Sequence, residues 1–173
     1  MKKLKIILTI LLFFVYSLTA PGGYVGLSDS MIFNAKKIVF YIEVKDKKFS
    51  EELLKECMYY EQIYHSDVVL LQSKLETGNY ASVIFQDNSN LFGMKYPRVR
   101  ETTASGIMYG HAYYDHWTDS VKDYKLFQDW YMSIGYDIET ESDDYLVFLK
   151  WIRYASDKKY IHKLIILDSK DIA

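Results

Sequence analysis

What this 173-residue chain lacks already narrows its possible functions. Its single cysteine, Cys57, excludes a disulfide within the chain, and its helical spacing from Leu53 and Leu54 predicts a buried small apolar side chain. The formal net charge of −2 provides no positive field that would attract nucleic acid. The sequence has no internal repeat, low-complexity tract, glycine-rich phosphate loop or serine in a nucleophile elbow. We therefore expect neither a disulfide scaffold nor a nucleic-acid-binding protein.

The four histidines do not have the spacing of a metal site. No pair lies at the helical separation of a zinc site with a matching third ligand. His111 and His116 with Asp115 are the one grouping for which a metal can be proposed, and the pattern does not favour it. We predict that the protein uses no metal ion and no cofactor.

The first twenty residues are typical of a targeting segment. Lysines at positions 2, 3 and 5 precede an apolar run over residues 6–18, and small residues follow at positions 19 and 20. The run is short for a membrane span of about 20 residues. Pro21 disfavours cleavage directly before it, so residues 1–20 are either a signal peptide or a retained anchor. We expect export to the periplasm or cell envelope, or secretion, with membrane attachment only through such an anchor.

The remaining sequence predicts one mainly α-helical domain of the α+β class. Residues 21–48 are predicted to be a connector with a short strand over 38–44, residues 49–167 the domain, and 168–173 a tail. Periodic apolar residues and caps predict helices from Ser50 to about 63, from Ser66 to Gly78, and over 121–134, 143–155 and 158–167. Residues 79–104 show no long pattern, which predicts a short irregular or β-containing insert after the central helix.

Glu76 lies at the end of the central helix, just before Gly78. The C-terminal end of a helix carries negative partial charge, and burial beside Leu75 also disfavours a second negative charge. Both effects raise the pKa of a carboxyl group, as a glycosidase proton donor requires. The 17 tyrosines are mostly expected to pack in the core, although tyrosine also suits contact with sugar rings.

Four sequence blocks resemble one enzyme family. Residues 72–80 (Gln-Ser-Lys-Leu-Glu-Thr-Gly-Asn-Tyr) are similar to its Gln-x-x-Leu-Glu-(Ser/Thr)-Gly signature, and 88–95 (Asn-Ser-Asn-Leu-Phe-Gly-Met-Lys) to its Asn-Asn-Leu-Phe-Gly loop. Residues 110–124 are similar to its Tyr-x-x-Trp-x-x-Ser-x-x-Asp-Tyr block, and 154–160 to its closing Tyr-Ala-Thr-Asp-Pro-x-Tyr block. The family is the peptidoglycan glucosaminidases, also named mannosyl-glycoprotein endo-β-N-acetylglucosaminidases, or glycoside hydrolase family 73. The resemblance covers roughly residues 49–167, with Ser89, Ser156 and Lys158 departing from the usual residues.

The resemblance implies a lysozyme-like fold and cleavage of the β-1,4 bond between N-acetylglucosamine and N-acetylmuramic acid in peptidoglycan strands. It makes Glu76 the general acid, and it makes Tyr154 and Tyr160 the two candidates for a catalytic tyrosine in the cleft. Asn90 is expected to bond an acetamido group. The other candidates for substrate binding are Leu91, Phe92, Gly93, Tyr114 and Trp117. The oligomeric state is left open.

The second catalytic group is less clear from the sequence. Glu101 is a poorly matched candidate, and Asp115 and Asp119 lie further along the chain, whereas Asp123 is expected to be structural. A substrate-assisted route, in which the acetamido oxygen of the sugar attacks, needs no second carboxylate, and we favour it. The alternatives are a lytic transglycosylase on a related fold and a catalytically silent wall-binding module.

Overall fold

The structure is a computed structural model that describes residues 28–138 and 142–171, without the side chains of 142–144, 170 and 171. The predicted targeting segment, 1–20, lies outside the described residues. Contacts divide the chain into two compact units, Met1–Lys48 and Phe49–Ala173. In chain order, the described elements are α1 Asp29–Val44, α2 Glu51–Tyr60, α3 Ser66–Thr77, α4 Val83–Asn88, β1 Gly106–Met108, β2 His111–Tyr113, α5 Trp117–Ser133, α6 Ser142–Trp151 and α7 Tyr160–Asp171.

Helix α1 corrects an expectation from the sequence, because the strand predicted over residues 38–44 is the last part of this helix. Ser28 caps α1 by accepting a hydrogen bond from the backbone N–H of Met31. No glycine or proline interrupts residues 29–44. β-Branched and aromatic residues cost a helix only about half a kcal/mol each. Their presence therefore did not outweigh continuous helical hydrogen bonding, and the strand prediction was wrong.

The caps predicted for α2 and α3 are confirmed. Ser50 accepts a hydrogen bond of 3.3 Å from the N–H of Leu53, although α2 ends at Tyr60, earlier than predicted. Gly78 ends α3 in the left-handed conformation with φ +56°. The N–H of Asn79 then reaches the carbonyl of Lys74 at 2.8 Å, which closes the last turn.

The insert after α3 contains more regular structure than the sequence indicated. Ser82 caps the short helix α4, which lies within the stretch predicted to be irregular. Strands β1 and β2 then pair antiparallel, with Gly106 opposite Tyr113. The β structure predicted after the central helix is therefore present as a small two-stranded sheet, although it lies just beyond residues 79–104.

The core of the Phe49–Ala173 unit is built around α3. Helix α3 contacts α2 and α7, α5 contacts α2, and α6 contacts α7. Cys57 on α2 is fully buried, as its helical spacing predicted. Helix α5 starts earlier than expected and α6 ends earlier, while α7 extends beyond the predicted end at 167. The predicted fold class is confirmed: a mainly α, lysozyme-like domain with a small sheet.

Across residues 28–138 and 142–171, no helix combines the length and the hydrophobicity that crossing a bilayer requires.

Candidate active site

Glu76 lies in the last turn of α3 and opens onto a groove with a volume of about 590 Å³. The groove walls come from the loop that follows α4, from strand β2, from α5 and from the segment after α6. Its lining includes Glu76, Phe92, Gly93, Met94, Lys95, Pro97, Arg100, His111, Phe127, Tyr131, Ile152, Arg153, Tyr154, Ala155 and Ser156. Four segments that are distant in the sequence therefore meet around one carboxyl group.

Gly93 makes the closest approach to this carboxyl group. Its φ of +62° is a left-handed conformation that favours glycine. A Cβ atom at this position would lie 2.8 Å from Oε2 of Glu76, inside van der Waals contact. Only glycine therefore satisfies both the backbone of the loop and the space that the carboxyl group occupies.

Two opposing effects shift the pKa of Glu76. Burial raises the pKa of its carboxyl group above the ordinary value, because the charged form loses solvation. The hydroxyl of Tyr160 donates a hydrogen bond to the carboxylate, which lowers the pKa by a smaller amount. The net shift is upward, so Glu76 retains its proton at a higher pH than an exposed glutamate does.

Tyr160 is itself held by Gln72, one helical turn before Glu76 on the same face of α3. The side-chain amide of Gln72 donates to the Tyr160 hydroxyl at 3.2 Å, and its carbonyl accepts from Tyr124 at 2.7 Å. Gln72 and Tyr124 are both fully buried. This arrangement gives a structural role to the glutamine of the 72–80 block, which the sequence did not reveal.

The hydrogen bonds continue beyond Tyr124 in one direction. Because the proton of Tyr124 goes to Gln72, Tyr145 donates to Tyr124 across 2.7 Å. Gln128 donates to Tyr145 at 2.9 Å, and the backbone N–H of Tyr64 fixes the orientation of the Gln128 amide. We call Gln128, Tyr145, Tyr124, Gln72 and Tyr160 the hydrogen-bond relay. Aligned bonds of this kind polarise one another, and all donors point toward Glu76.

Tyr154 supports the groove from a different direction. Its hydroxyl donates to the backbone carbonyl of Phe92 at 2.8 Å and contacts the sulfur of Met94 at 3.6 Å. Burial and the nearby Glu76 raise the pKa of Tyr154 well above its ordinary value, so it stays a neutral donor. The two candidate tyrosines therefore differ: Tyr160 contacts the carboxyl group, whereas Tyr154 holds the loop that faces it.

Asn90, predicted to bond an acetamido group, has its side-chain amide engaged in hydrogen bonds within the protein. Its amide donates to the carbonyls of Met94 and Ala112, both at 2.9 Å. Its oxygen accepts from the N–H groups of Phe92 and Met94. The side chain is 1% exposed and thus closes the loop that carries Gly93.

Three other predicted binding residues are also buried and lie outside the groove lining. Leu91 and Tyr114 are fully buried, and the Tyr114 hydroxyl donates to Asp123 at 2.8 Å. Trp117 is 5% exposed and packs edge-on against Phe49 with ring centroids 5.3 Å apart. The structure therefore does not bring these three residues to the surface of the groove that contains Glu76. Of the predicted floor, Phe92 and Gly93 do line the groove.

Arg100 is a groove residue that the sequence did not single out. It forms a two-pronged ion pair with Asp123, at 2.8 and 3.0 Å, and both side chains are almost completely buried. Asp123 also accepts from Thr103 and Tyr114, which confirms the structural role expected for it. The pair ties the insert to α5. A lone arginine in an irregular stretch gives no sequence signal of such a partner.

Glu76 is the sole Asp or Glu among the described residues that line the groove. Glu101 is exposed and lies outside the lining, with the side chain of its neighbour Arg100 bonded to its backbone carbonyl. In the described part of the chain, no three His, Cys, Asp or Glu side chains are grouped to hold a metal ion. Chemically, the site offers one half-buried carboxylic acid, tyrosine hydroxyls and a basic wall.

Comparison with known proteins adds one finding. The glucosaminidase family model, described as mannosyl-glycoprotein endo-beta-N-acetylglucosaminidase, matches residues 51–169. The match contains α2 to α6, the groove and most of α7. No curated protein matches the chain. No solved structure matches it either.

Proposed function

The chain belongs to the glucosaminidase family, and on that premise we propose that it hydrolyses the β-1,4 bond between N-acetylglucosamine and N-acetylmuramic acid. Family membership supports a glycoside hydrolase whose substrate is a glycan of the peptidoglycan kind. The finer assignment depends on the setting of Glu76: its half-buried carboxyl group lines the groove, where burial raises its pKa and Tyr160 donates a hydrogen bond to it.

Glu76 is the general acid in this proposal. Its proton passes to the bridging oxygen as the glycosidic bond breaks, so the leaving sugar departs as a neutral alcohol. The resulting carboxylate keeps the hydrogen bond from Tyr160, which stabilises the charge that has just formed. Gly93 leaves the space that allows this carboxyl group to face the groove.

The acetamido group of the substrate supplies the nucleophile. Its carbonyl oxygen attacks the anomeric carbon while the bond to the leaving oxygen breaks, which gives a cyclic oxazolinium ion. Water then opens the ring at the same carbon and gives its proton to the carboxylate of Glu76, so the acid is restored. The absence of another carboxylate among the described groove residues supports this route.

The same observation also suits a lytic transglycosylase, in which a hydroxyl of the sugar replaces water and an anhydro sugar forms. Mass spectrometry of digested peptidoglycan separates the two reactions. We expect products that contain an added water and end in a reducible N-acetylglucosamine. Anhydro products that borohydride cannot reduce would overturn the hydrolase assignment in favour of the transglycosylase.

A silent wall-binding module is disfavoured, since binding alone does not require a half-buried acid with a raised pKa beside a glycine. Such a module would bind wall fragments and release no sugar.

We also propose that the protein acts outside the cytoplasm, in the periplasm or cell envelope or after secretion. The lysines and apolar run of residues 1–20 support export, and peptidoglycan lies on that side of the membrane. Cell fractionation of the full chain and of a chain without residues 1–20 tests this. The shortened chain should stay in the cytoplasm, and equal export of both would contradict the proposal.

A further inference from the structure

A second groove, of about 860 Å³, lies next to the one that contains Glu76. Arg153, Ala155 and Ser156 line both grooves, so the two share a wall. Tyr160, whose hydroxyl donates a hydrogen bond to the carboxyl group of Glu76, also lines the second groove. A polymer that is bound in the groove containing Glu76 can therefore extend side groups into the second groove.

The second groove carries unbalanced positive charge. Lys150, Arg153 and Lys158 line it, all three are exposed, and none has a side-chain ion pair or hydrogen bond within the described residues. Asp157 is the one acid among its described lining residues, and it is already bonded to Lys163 at 2.7 Å. Three cations thus face a space whose described lining contains one acid, and that acid is already paired with Lys163.

Arg153 occupies this wall in a strained backbone conformation. Arg153 follows the end of α6 and has a φ of +52°. There the backbone N–H of Tyr154 donates to the carbonyl of Leu149, and the backbone N–H of Arg153 donates to the carbonyl of Lys150. Helices that end in this way usually have glycine at the left-handed position. A long charged side chain at such a position costs conformational free energy, and strain of this kind clusters at binding sites.

We propose that this second groove, which we call the basic groove, binds the carboxylates of the peptide side chains of peptidoglycan. The inference rests on the proposed function, because those peptides branch from the glycan that Glu76 cleaves. Guanidinium and ammonium groups form short, charge-assisted hydrogen bonds with carboxylates. Lys95, whose ammonium contacts the Gly110 carbonyl and the His111 ring and no acid in the described part, extends the same charge along the catalytic groove.

Two substrates and two matched variants test the proposal. The substrates are soluble peptidoglycan strands with native peptides and the same strands with their carboxylates amidated. Lys150→Gln/Lys158→Gln removes two charges from the basic groove, and Lys55→Gln/Lys122→Gln removes two charges outside both grooves. The quantity compared is the kcat/KM ratio, native over amidated.

We expect the wild-type ratio to exceed one and to fall roughly fivefold in Lys150→Gln/Lys158→Gln, through KM, since two exposed ion pairs are lost. Lys150→Arg/Lys158→Arg should keep the wild-type ratio because it keeps the charge. The Lys55→Gln/Lys122→Gln ratio should also be unchanged. An unchanged ratio in the basic-groove variant, or an equal fall in both glutamine variants, would overturn the proposal.

A binding measurement separates failure of the basic groove from failure of the proposed function. In a Glu76→Gln background, we expect calorimetry with a soluble disaccharide tetrapeptide to give a Kd that rises with added salt. The Kd should also rise when Lys150 and Lys158 are replaced by Gln. Amidated ligand should bind more weakly and respond to neither change. If the wild type cleaves no strand, the proposed function fails, while equal affinity for both ligands would refute the basic groove on its own.

Discussion

At Glu76, loss of solvation and a hydrogen bond from Tyr160 act on the same carboxyl group with opposite sign. Burial favours the proton and the tyrosine favours the charge, and burial has the larger effect. The relay behind Tyr160 fixes the direction of its hydroxyl, because Gln72 donates to the oxygen and leaves the proton for Glu76. A single hydroxyl therefore tunes the acid.

Replacing Tyr160 with Phe removes the contact that lowers the pKa of Glu76, so this pKa should rise further. A general acid must be protonated, and the alkaline limb of the kcat/KM profile should therefore move to higher pH. Tyr59→Phe, at an exposed position on α2, should leave the limb in place. Tyr160→Phe also leaves the buried Gln72 amide without its acceptor, which should cost about 1–3 kcal/mol of stability. A limb that moved to lower pH would contradict this account of the acid.

Replacing Gly93 with Ala should displace the carboxyl group, because the new Cβ would lie 2.8 Å from its oxygen. We expect kcat to fall by about two orders of magnitude, since small displacements of a catalytic group have effects of that size. Gly110→Ala is the matched control: its φ of +68° is similar, and a Cβ there meets nothing within 4 Å. Both variants should lose about 1–2 kcal/mol of stability from backbone strain. Equal activity in the two variants would show that the contact with Glu76 has no catalytic importance.

The sequence singled out Glu76 and Tyr160, which the structure places side by side, whereas several other predicted binding residues lie in the core. Asn90, Tyr114 and Trp117 have side chains that suit sugars, and the same side chains suit a buried, hydrogen-bonded core. Residue type does not separate the two roles, because burial depends on segments far away in the chain. The short distance between Gly93 and Glu76 could not be predicted from the sequence either, since it arises only when the loop folds over α3.

Among the elements, helix ends were predictable where a local contact defines them. Ser50 bonds Leu53 and Gly78 closes α3 through contacts within a few residues, and both were predicted. Helix α1 and the short helix α4 were missed, since β-branched residues and isolated polar residues have only weak conformational preferences. The attachment of the insert to α5 was not predictable either, because it depends on a long-range ion pair.

That attachment predicts a large effect for Asp123→Asn. The variant keeps the shape of the side chain but leaves the buried Arg100 without a counter-charge. Loss of one partner of a buried pair should lower the free energy of unfolding by about 3–5 kcal/mol. The surface pair of Asp119 with Lys122 provides the control, and Asp119→Asn should cost about 1 kcal/mol or less. Denaturant titration measures both, and similar losses would refute the anchoring role of Asp123.

At the scale of the whole molecule, the family match over 51–169 and the compact unit Phe49–Ala173 nearly coincide. Phe49 contributes to this unit through ring contacts with Tyr80, Phe85 and Trp117 at centroid distances of 4.8 to 5.3 Å. Apart from the short helix α4, the order of helices in the unit followed from local periodicity. The grooves did not, because each is assembled from segments that only the tertiary fold brings together.

Two truncations test the boundary of the unit. A chain of residues 49–173 should unfold cooperatively and keep its glycosidase activity. A chain of residues 52–173 lacks the Ser50 cap and the Phe49 ring, and it should lose about 2–4 kcal/mol of stability. Thermal unfolding followed by circular dichroism measures the difference. Equal stability of the two chains would show that Phe49 and Ser50 do not belong to the folded unit.

The most direct test of the central claim is release of reducing ends from purified peptidoglycan by Glu76→Gln and Glu101→Gln. Glu76→Gln should lower the rate by a factor of about 10² or more while retaining the wild-type circular dichroism spectrum, because the N–H protons of an amide are not acidic enough to protonate the leaving oxygen. Glu101→Gln should retain the wild-type rate, since Glu101 is exposed and outside the groove lining. Undiminished release by a folded Glu76→Gln protein would contradict the account.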